Sequence, residues 1–291
     1  MTLQEYLKQR LRMGSVNAYI REIEIFLTNH PGAKNYYHAD IVGYIGELRT
    51  KYNSARTVNR ILSSIKQYYD FLAYTGVRAD NPARSIRLRD KISRDIQLQD
   101  LFTAEELETL LHRKERFNAL EYRNKVLMSL LIYQGLLPRE ITALNVDDVN
   151  LNEGTVYVKG GHNTNARELT LKPNQVLLFY QYINEVRNKL SRRHKLSENE
   201  KALLIGVRNN RFTVEDIVTH LKRNYKETFS PRKVNCKTIR QSVITNLLKQ
   251  GHDITLVQNY AGHKYPGTTE KYKQNDVEQL QEALNKYHPF S

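Results

Sequence analysis

The segment 237–272 constrains the fold most, because its apolar residues follow helical spacing and are interrupted at a few defined points. Apolar residues recur every three or four positions as far as Leu248, and Gly251 then marks the end of a helix. Asp253 is a candidate N-cap for a second short helix, and Thr268–Thr269 is a candidate cap for a third. The pattern therefore predicts three short helices in succession within one compact unit.

Three polar side chains have a predicted place on these helices. Arg240 lies near the start of the first, His263 follows the second, and Tyr272 lies one turn into the third. An arginine matches phosphate oxygens with a forked pair of donors, a histidine donates one more hydrogen bond, and a tyrosine oxygen can form a covalent bond to phosphorus. If the three converge, they favour attack of a phenol on a phosphodiester.

The spacing of these residues resembles that of the tyrosine recombinase, or phage integrase-like, family. The family pattern is His-x-x-Arg, then Leu-Gly-His, then a nucleophilic tyrosine. Here Ala261-Gly262-His263 matches the middle element, and Tyr272 follows His263 by nine residues. By this resemblance Arg240 is the second arginine of the family and Tyr272 the nucleophile. Lys237 stands where the family usually has histidine, and the resemblance implies that it is a further phosphate donor.

The length of 291 residues is sufficient for two domains. Helical periodicity fills residues 1–88, residues 89–101 have the composition of an extended linker, and residues 102–291 form the second domain. The predicted fold class is mainly α, with a small antiparallel sheet in the second domain. By resemblance the first is a helical core-binding domain that clamps DNA and the second is catalytic, with a C-terminal helix at 276–288. A basic face predicted to follow a DNA backbone comprises Lys51, Arg56, Arg60 and Lys66.

Two helix starts are also predicted in these domains. The longest helix of the first domain follows Ser54, and Thr103 with Glu106 matches a capping box that opens the second domain.

The family's first arginine is displaced in this chain. The family signature is Gly-Leu-Arg-x-x-Glu-Leu, and segment 135–141 reads Gly-Leu-Leu-Pro-Arg-Glu-Ile. Aligning Glu140 with the family's glutamate leaves Leu137 at the arginine position.

Arg139 lies two residues beyond that position. Pro138 favours a helix start there, so Arg139 falls in the first turn, rotated by about 200° from the aligned position. We predict that Arg139 contacts the phosphate, with Arg123 or Arg167 as alternatives.

A β-hairpin is predicted by the alternating residues of segment 154–162 and its partner Glu168–Leu171. Lys159 lies at the tip, where the resembling family keeps its general acid. A lysine protonates a departing 5′-oxygen when surrounding cations lower its pKa towards neutrality.

Composition restricts the function classes further. Lys and Arg exceed Asp and Glu by 14, which favours a polyanionic partner such as nucleic acid. The nine histidines and single cysteine form no metal-binding motif, and no phosphate-binding glycine-rich loop is present. No apolar run approaches about 18 residues. These observations predict no cofactor, no metal, no membrane contact and a cytoplasmic location.

The resemblance implies a site-specific DNA recombinase that works through a 3′-phosphotyrosine intermediate. Its partners are then double-stranded DNA with inverted-repeat sites and three further copies of the chain, assembled through the C-terminal helix. An alternative is a catalytically impaired DNA-binding accessory protein, which Leu137 and Lys237 support. A DNA-relaxing enzyme resembling type IB topoisomerases is a lesser alternative.

Overall fold

A computed structural model describes residues 1–90, 98–191, 201–206 and 210–273. The chain divides into two compact units, Met1–Arg94 and Asp95–Ser291, and this division falls inside the predicted linker. The predicted C-terminal helix 276–288 lies outside the described residues. Within the described part, no helix is long and apolar enough to cross a membrane.

The regular secondary structure of the first unit, within residues 1–90, is entirely helical. Its α-helices are α1 Leu3–Arg10, α2 Met13–Asn29, α3 His38–Lys51 and α4 Ala55–Tyr74, with a 3₁₀ turn at Ala33–Asn35. Helix α1 was not predicted, because its eight residues bury only Tyr6 and Leu7 and so leave little periodic signal. It is fixed at its start by a reciprocal capping box between Thr2 and Glu5.

Helix α4 organises this unit. Ser54 caps it, as its position in the sequence predicts, and Ile61, Ile65 and Tyr69 bury against α2 and α3. Of the basic residues predicted to face DNA, two have partners within the unit. Arg60 pairs with Glu22 at 2.7 Å, and the Lys66 Nζ donates to the Ile86 carbonyl. Lys51 and Arg56 remain exposed.

The second unit combines helices with a small sheet. Its α-helices are α5 Ala104–Thr109, α6 Asn118–Ile132, α7 Pro138–Ala143, α8 Pro173–Gln181, α9 Arg187–Ser191, α10 Val214–Asn224, α11 Cys236–Lys249, α12 Ile254–Ala261 and α13 Pro266–Lys273. A π-helical turn, Tyr182–Val186, joins α8 to α9, and 3₁₀ turns occupy Leu98–Asp100, Leu110–His112 and Val146–Asp148. The strands are β1 Val149–Asn150, β2 Thr155–Val158 and β3 Arg167–Thr170.

The sheet has the order β1-β2-β3 with both pairs antiparallel. Val156 faces Leu169 across the hairpin, and Val158 faces Arg167. Alternate residues of a strand point to the same face, so Val156, Val158 and Leu169 bury against the helical core. The predicted fold class, mainly α with a small antiparallel sheet, is confirmed.

Local sequence signals set the ends of several helices. Thr103 and Glu106 form the predicted capping box of α5, Pro138 begins α7, and Asp253 caps α12. Helix α11 directs Ile239 and Val243 into the main core of the unit. These signals fix where α7 and α12 begin, and the candidate site lies on α7, α11, α12, α13 and β3.

The predicted cap of the third short helix is wrong. Helix α13 begins at Pro266, so Thr268 and Thr269 lie inside it. Proline is suited to the first turn because its φ is already helical and its missing N–H is not needed there. Thr269 is instead fully buried, and its hydroxyl pairs with the His263 ring.

Candidate active site

The end of α12 is the point at which the candidate site is assembled. Gly262 follows the helix with φ +67°, a left-handed conformation that glycine adopts without strain, and it terminates α12. This turn leaves the carbonyls of Tyr260 and Ala261 free to accept hydrogen bonds from side chains. Each of them accepts one from a buried guanidinium group.

Arg240 is the first of these guanidinium groups. Its Nη2 donates to the Ala261 carbonyl at 2.6 Å, and its Nη1 donates to the Gly135 carbonyl at 2.5 Å. Burial lowers the pKa of Arg240, and the carboxylate of Glu140 opposes that shift. Two backbone carbonyls therefore fix the group. Among the described residues, its Nε–H and one N–H on each Nη have no acceptor and remain for a ligand.

The second guanidinium group at this turn is that of Arg167, on β3. Its Nε donates to the Tyr260 carbonyl at 2.7 Å, and its two Nη atoms donate to the carboxylate of Glu140 at 2.8 and 3.1 Å. Both side chains of this pair are 6% exposed. A Cβ placed on Gly262 would lie 2.4 Å from the Arg167 Nη1, so the guanidinium lies directly against that glycine.

The connection between β2 and β3 is attached to the same turn. The Asn165 N–H donates to the Gly262 carbonyl at 2.9 Å, and Thr164 forms an isolated antiparallel bridge with His263. The hairpin is thus held against the α12–α13 turn by its backbone.

His263 lies at the centre of the cluster and is buried. Its Nδ1 pairs with the Thr269 Oγ1 at 2.9 Å. Burial, with the positive charges of Arg240 and Arg167, lowers the pKa of His263 to about 4. The ring is therefore neutral at neutral pH. In the tautomer in which Thr269 donates to Nδ1, Nε2 carries a proton that it can offer to an anion.

Tyr272 covers this cluster with a half-buried ring. The ring stacks on His263, with centroids 6.0 Å apart and 19° between the planes. It also packs against Ile244, Val257 and Ala261. Burial raises the pKa of Tyr272, and the charge of Arg240 opposes that shift. Arg240, His263 and Tyr272 thus lie together, as the spacing predicts.

The structure does not bring the other predicted site residues into this cluster. The Lys159 Nζ lies 3.4 Å from the Asp148 Oδ1, with its side chain 54% exposed. Lys237 is exposed in the first turn of α11 and lines a cavity of about 550 Å³ with lysines of its surroundings, Lys222, Lys226 and Lys233. Arg139 is exposed on α7, and no hydrogen bond or ion pair from any described residue engages its guanidinium.

Arg167 and Glu140 are the residues to which sequence reasoning gave too little weight. Arg167 entered only as one of two alternatives to Arg139. A signal was nevertheless present, since Arg167 lies two residues before Leu169 on β3 and hence shares its inward face. Arg123, the other alternative, is buried elsewhere, where it bonds to Asn124 and the Ile205 carbonyl.

Comparison with known proteins identifies the family. The model named "Phage integrase family" matches residues 100–279, and "Phage integrase, N-terminal SAM-like domain" matches residues 2–76. The chain belongs to the phage integrase family of tyrosine recombinases. It is 30% identical to tyrosine recombinase XerD of Oceanobacillus iheyensis over 86% of this chain and 82% of that protein. It is 28% identical to tyrosine recombinase XerC of Thermodesulfovibrio yellowstonii, with the same coverage of both chains.

Solved structures share the fold. A XerH site-specific recombinase bound to its difH substrate aligns with a TM-score of 0.71 and 17% identity, covering 96% of this chain and 84% of that chain. The Tn1549 transposon integrase in complex with transposon right end DNA aligns with a TM-score of 0.68 and 16% identity, covering 99% of each chain.

Proposed function

We propose that this protein is a site-specific DNA recombinase that cuts and rejoins double-stranded DNA through a 3′-phosphotyrosine intermediate. The observation that carries the proposal is the placement of the Tyr272 ring on His263, beside an Arg240 guanidinium fixed by two backbone carbonyls. Such an arrangement offers a nucleophile and fixed donors for the same phosphate. The family relationship supports the same conclusion.

In the cleavage step, the Tyr272 oxygen forms a bond to the scissile phosphorus and the bond from phosphorus to the 5′-oxygen breaks. Arg240 and His263 stabilise the negative charge that develops on the non-bridging oxygens. The phenol passes its proton to solvent water as it attacks, and the positive charge of Arg240 opposes the effect of burial on the pKa of Tyr272 and so favours the phenolate. The phosphotyrosine retains the ester bond energy, so the reverse attack by a 5′-hydroxyl of a partner strand rejoins DNA without a cofactor.

Lys159 is proposed to protonate the departing 5′-oxygen. Its ammonium is bound to Asp148 in this structure, so it must leave that ion pair to reach a bound strand. Lys159 is 54% exposed and Asp148 10% exposed, so the ammonium can exchange a partly solvated ion pair for a phosphate. Lys237, which lies near three other exposed lysines, is proposed to contact a phosphate flanking the cleavage site.

The proposed substrate is a duplex with inverted-repeat recombination sites, bound by four protomers. The excess of 14 positive charges supports an extended phosphate interface. Assembly through residues 276–288 is part of this proposal, as is action in the cytoplasm, where the protein would meet its DNA.

A substrate nicked next to the cleavage position tests the chemistry. The short fragment released on cleavage diffuses away, so the covalent adduct accumulates. We expect an adduct with the wild-type protein and none with Tyr272→Phe, which keeps the stacked ring and removes only the hydroxyl. An adduct of equal yield from Tyr272→Phe would contradict the proposed function.

A second candidate function is a DNA-binding accessory protein that has lost strand exchange. The uncharged Leu137 at the aligned arginine position and the exposed location of Arg139 favour it. Specific binding of the nicked substrate without any adduct would support this candidate. Relaxation of supercoiled DNA without strand exchange would instead indicate a topoisomerase-like activity.

A further inference from the structure

The cluster behind Tyr272 contains more positive charge than its own residues neutralise. Arg240 and Arg167 each carry one positive charge, Glu140 carries one negative charge, and His263 is neutral because its pKa is about 4. Arg240 and His263 are buried, and the side chains of Arg167 and Glu140 are each 6% exposed. A buried cluster with an unbalanced positive charge is costly unless an anion joins it, so the site is organised to receive one.

We propose that Arg167 is the second phosphate-binding guanidinium of this site and takes the role that the sequence pattern assigned to Arg139. This inference rests on the proposed function, since the anion it concerns is the scissile phosphate. It identifies the residue that contacts a non-bridging oxygen together with Arg240.

The position of Arg167 supports this role. The Tyr260 carbonyl accepts from Arg167 and the Ala261 carbonyl accepts from Arg240, so adjacent residues of one turn hold the two guanidinium groups. Between Ala261 and His263 lies Gly262, against which the Arg167 guanidinium packs. The carbonyl that accepts from Arg167 is thus adjacent in sequence to the carbonyl that accepts from Arg240. The glycine against which Arg167 packs is adjacent in sequence to His263, so all three proposed phosphate donors are attached to one turn.

The hydrogen bonds of Arg167 leave a donor for this purpose. Its Nε–H is used by Tyr260, and the Glu140 carboxylate takes one N–H from each Nη. The second N–H of Nη1 makes only a long contact of 3.4 Å with the Asn165 carbonyl, and the second N–H of Nη2 is unused among the described residues. Glu140 also accepts from the Leu137 N–H at 2.8 Å, which ties the carboxylate to the start of α7.

Arg139 lacks each of these features. Its side chain is exposed on α7, whereas Glu140, the next residue, points inward to Arg167. Successive residues of a helix are separated by about 100°, so the inward direction taken by Glu140 carries Arg139 away from the cluster.

The test compares cleavage of an ordinary scissile phosphate with cleavage of a methylphosphonate, in which one charged oxygen is replaced by a methyl group. A variant that lacks a phosphate-binding cation loses less on the neutral substrate, whereas a variant with a merely distorted site loses on both. The informative variant is the double substitution Arg167→Met/Glu140→Gln. It removes both charges of the buried pair together, so neither charge is left buried without its partner. Its folding is checked by thermal unfolding and by binding to the uncleaved site.

We expect the double variant to cleave the phosphate about 10²- to 10³-fold more slowly than wild type and the methylphosphonate within about tenfold of wild type. If the double variant does not fold, the single variant Arg167→Lys provides the test of the proposal. That variant is expected to lose at least about tenfold, because an ammonium cannot bind Glu140 and phosphate as a planar fork does. Arg123→Lys, a matched change at a buried arginine elsewhere in the unit, is the control, expected to stay within about threefold.

The proposal is overturned if the folded double variant cleaves the phosphate within threefold of wild type, or if Arg167→Lys does so where only that variant folds. It is also overturned if Arg139→Ala, and not the Arg167 variant, is rescued by the methylphosphonate. A wild-type protein that forms the Tyr272 adduct alongside either result leaves the proposed function intact. The absence of any wild-type adduct contradicts the proposed function itself.

Discussion

The buried guanidinium groups and the exposed lysines of the second unit show two ways of preparing a protein for phosphate. Arg240 and Arg167 are held by backbone carbonyls and by Glu140 before any ligand arrives. Lys159 and Lys237 lie at the surface, the former in a weak ion pair with Asp148. Under the proposed function, the arginine donors are fixed in place before DNA binds, whereas the lysines take up their working positions on bound DNA.

Substitutions in the two groups of residues are expected to have different consequences. Loss of a fixed, buried donor removes stabilisation from the transition state and leaves polar groups without partners. Loss of an exposed lysine removes one interaction with little effect on the fold. Substitution of a buried arginine should therefore slow cleavage more than substitution of an exposed lysine.

The largest effect is expected at Arg240. Arg240→Lys removes the fork that binds the Gly135 and Ala261 carbonyls, so we expect adduct formation to fall by about 10³. Lys237→Ala, on the same helix at an exposed position, is expected to lose less than about tenfold. Single-turnover cleavage of the nicked substrate measures the rate of each variant. Equal losses in the two variants would contradict the distinction between fixed, buried arginines and exposed lysines.

Lys159 is expected to have a smaller effect that depends on the leaving group. Lys159→Ala should slow cleavage by about 10², because the departing 5′-oxygen then lacks its proton donor. A substrate with sulfur in place of that bridging oxygen has a leaving group that needs no proton, so the variant should cleave it at nearly the wild-type rate. A rate loss of the same size on both substrates would mean that Lys159 is not the general acid.

The buried histidines predict a pH dependence of stability. Burial lowers the pKa of His263, and separately that of His220, to about 4. The unfolded chain binds these protons at a higher pH than the folded one, so the free energy of unfolding falls as the pH drops from about 6.5 to 4. Below that window these two groups add no further change.

Each histidine contributes about 3 kcal/mol to this loss. His220→Gln should therefore make the free energy of unfolding less dependent on pH, as measured by denaturant titrations at several pH values. His252→Gln, at an exposed position, serves as the control. An unchanged slope for His220→Gln would contradict the assignment.

The smallest effect is expected at Asp148. Asp148→Asn releases Lys159 from its ion pair, at a change in unfolding free energy of less than about 1 kcal/mol. Cleavage should be unchanged or slightly faster, because the lysine no longer has to leave a partner. A loss of cleavage beyond about tenfold would show that the pair itself positions Lys159.

Much of the fold follows from local signals in the sequence. The capping residues Thr103 and Asp253, with Pro138, predict the starts of three helices correctly, because caps and first-turn prolines act within one turn of chain. The third short helix was placed too late because Thr268 and Thr269 fit a cap equally well by type. The buried partner of Thr269, His263, becomes apparent only in the folded structure.

The candidate site is also predictable only where its residues lie close together in the sequence. Arg240, His263 and Tyr272 lie within one segment of short helices, so their spacing alone predicts their convergence. Arg167 reaches the cluster from β3 through a pairing with Glu140, which lies 27 residues earlier in the chain. Spacing carries no information about such a contact. Proximity in sequence to the aligned position favours Arg139, whereas the present proposal gives the role to Arg167.

The central claim, that the Tyr272 hydroxyl takes over one ester bond of duplex DNA, is tested most directly by mapping the covalent complex. After nuclease trimming, digestion with a glutamate-specific protease releases a peptide spanning residues 271–278, which contains a single tyrosine. We predict that this peptide carries the residual nucleotide, with fragmentation placing the added mass on Tyr272. A nucleotide attached to any other of the 19 tyrosines would contradict the account.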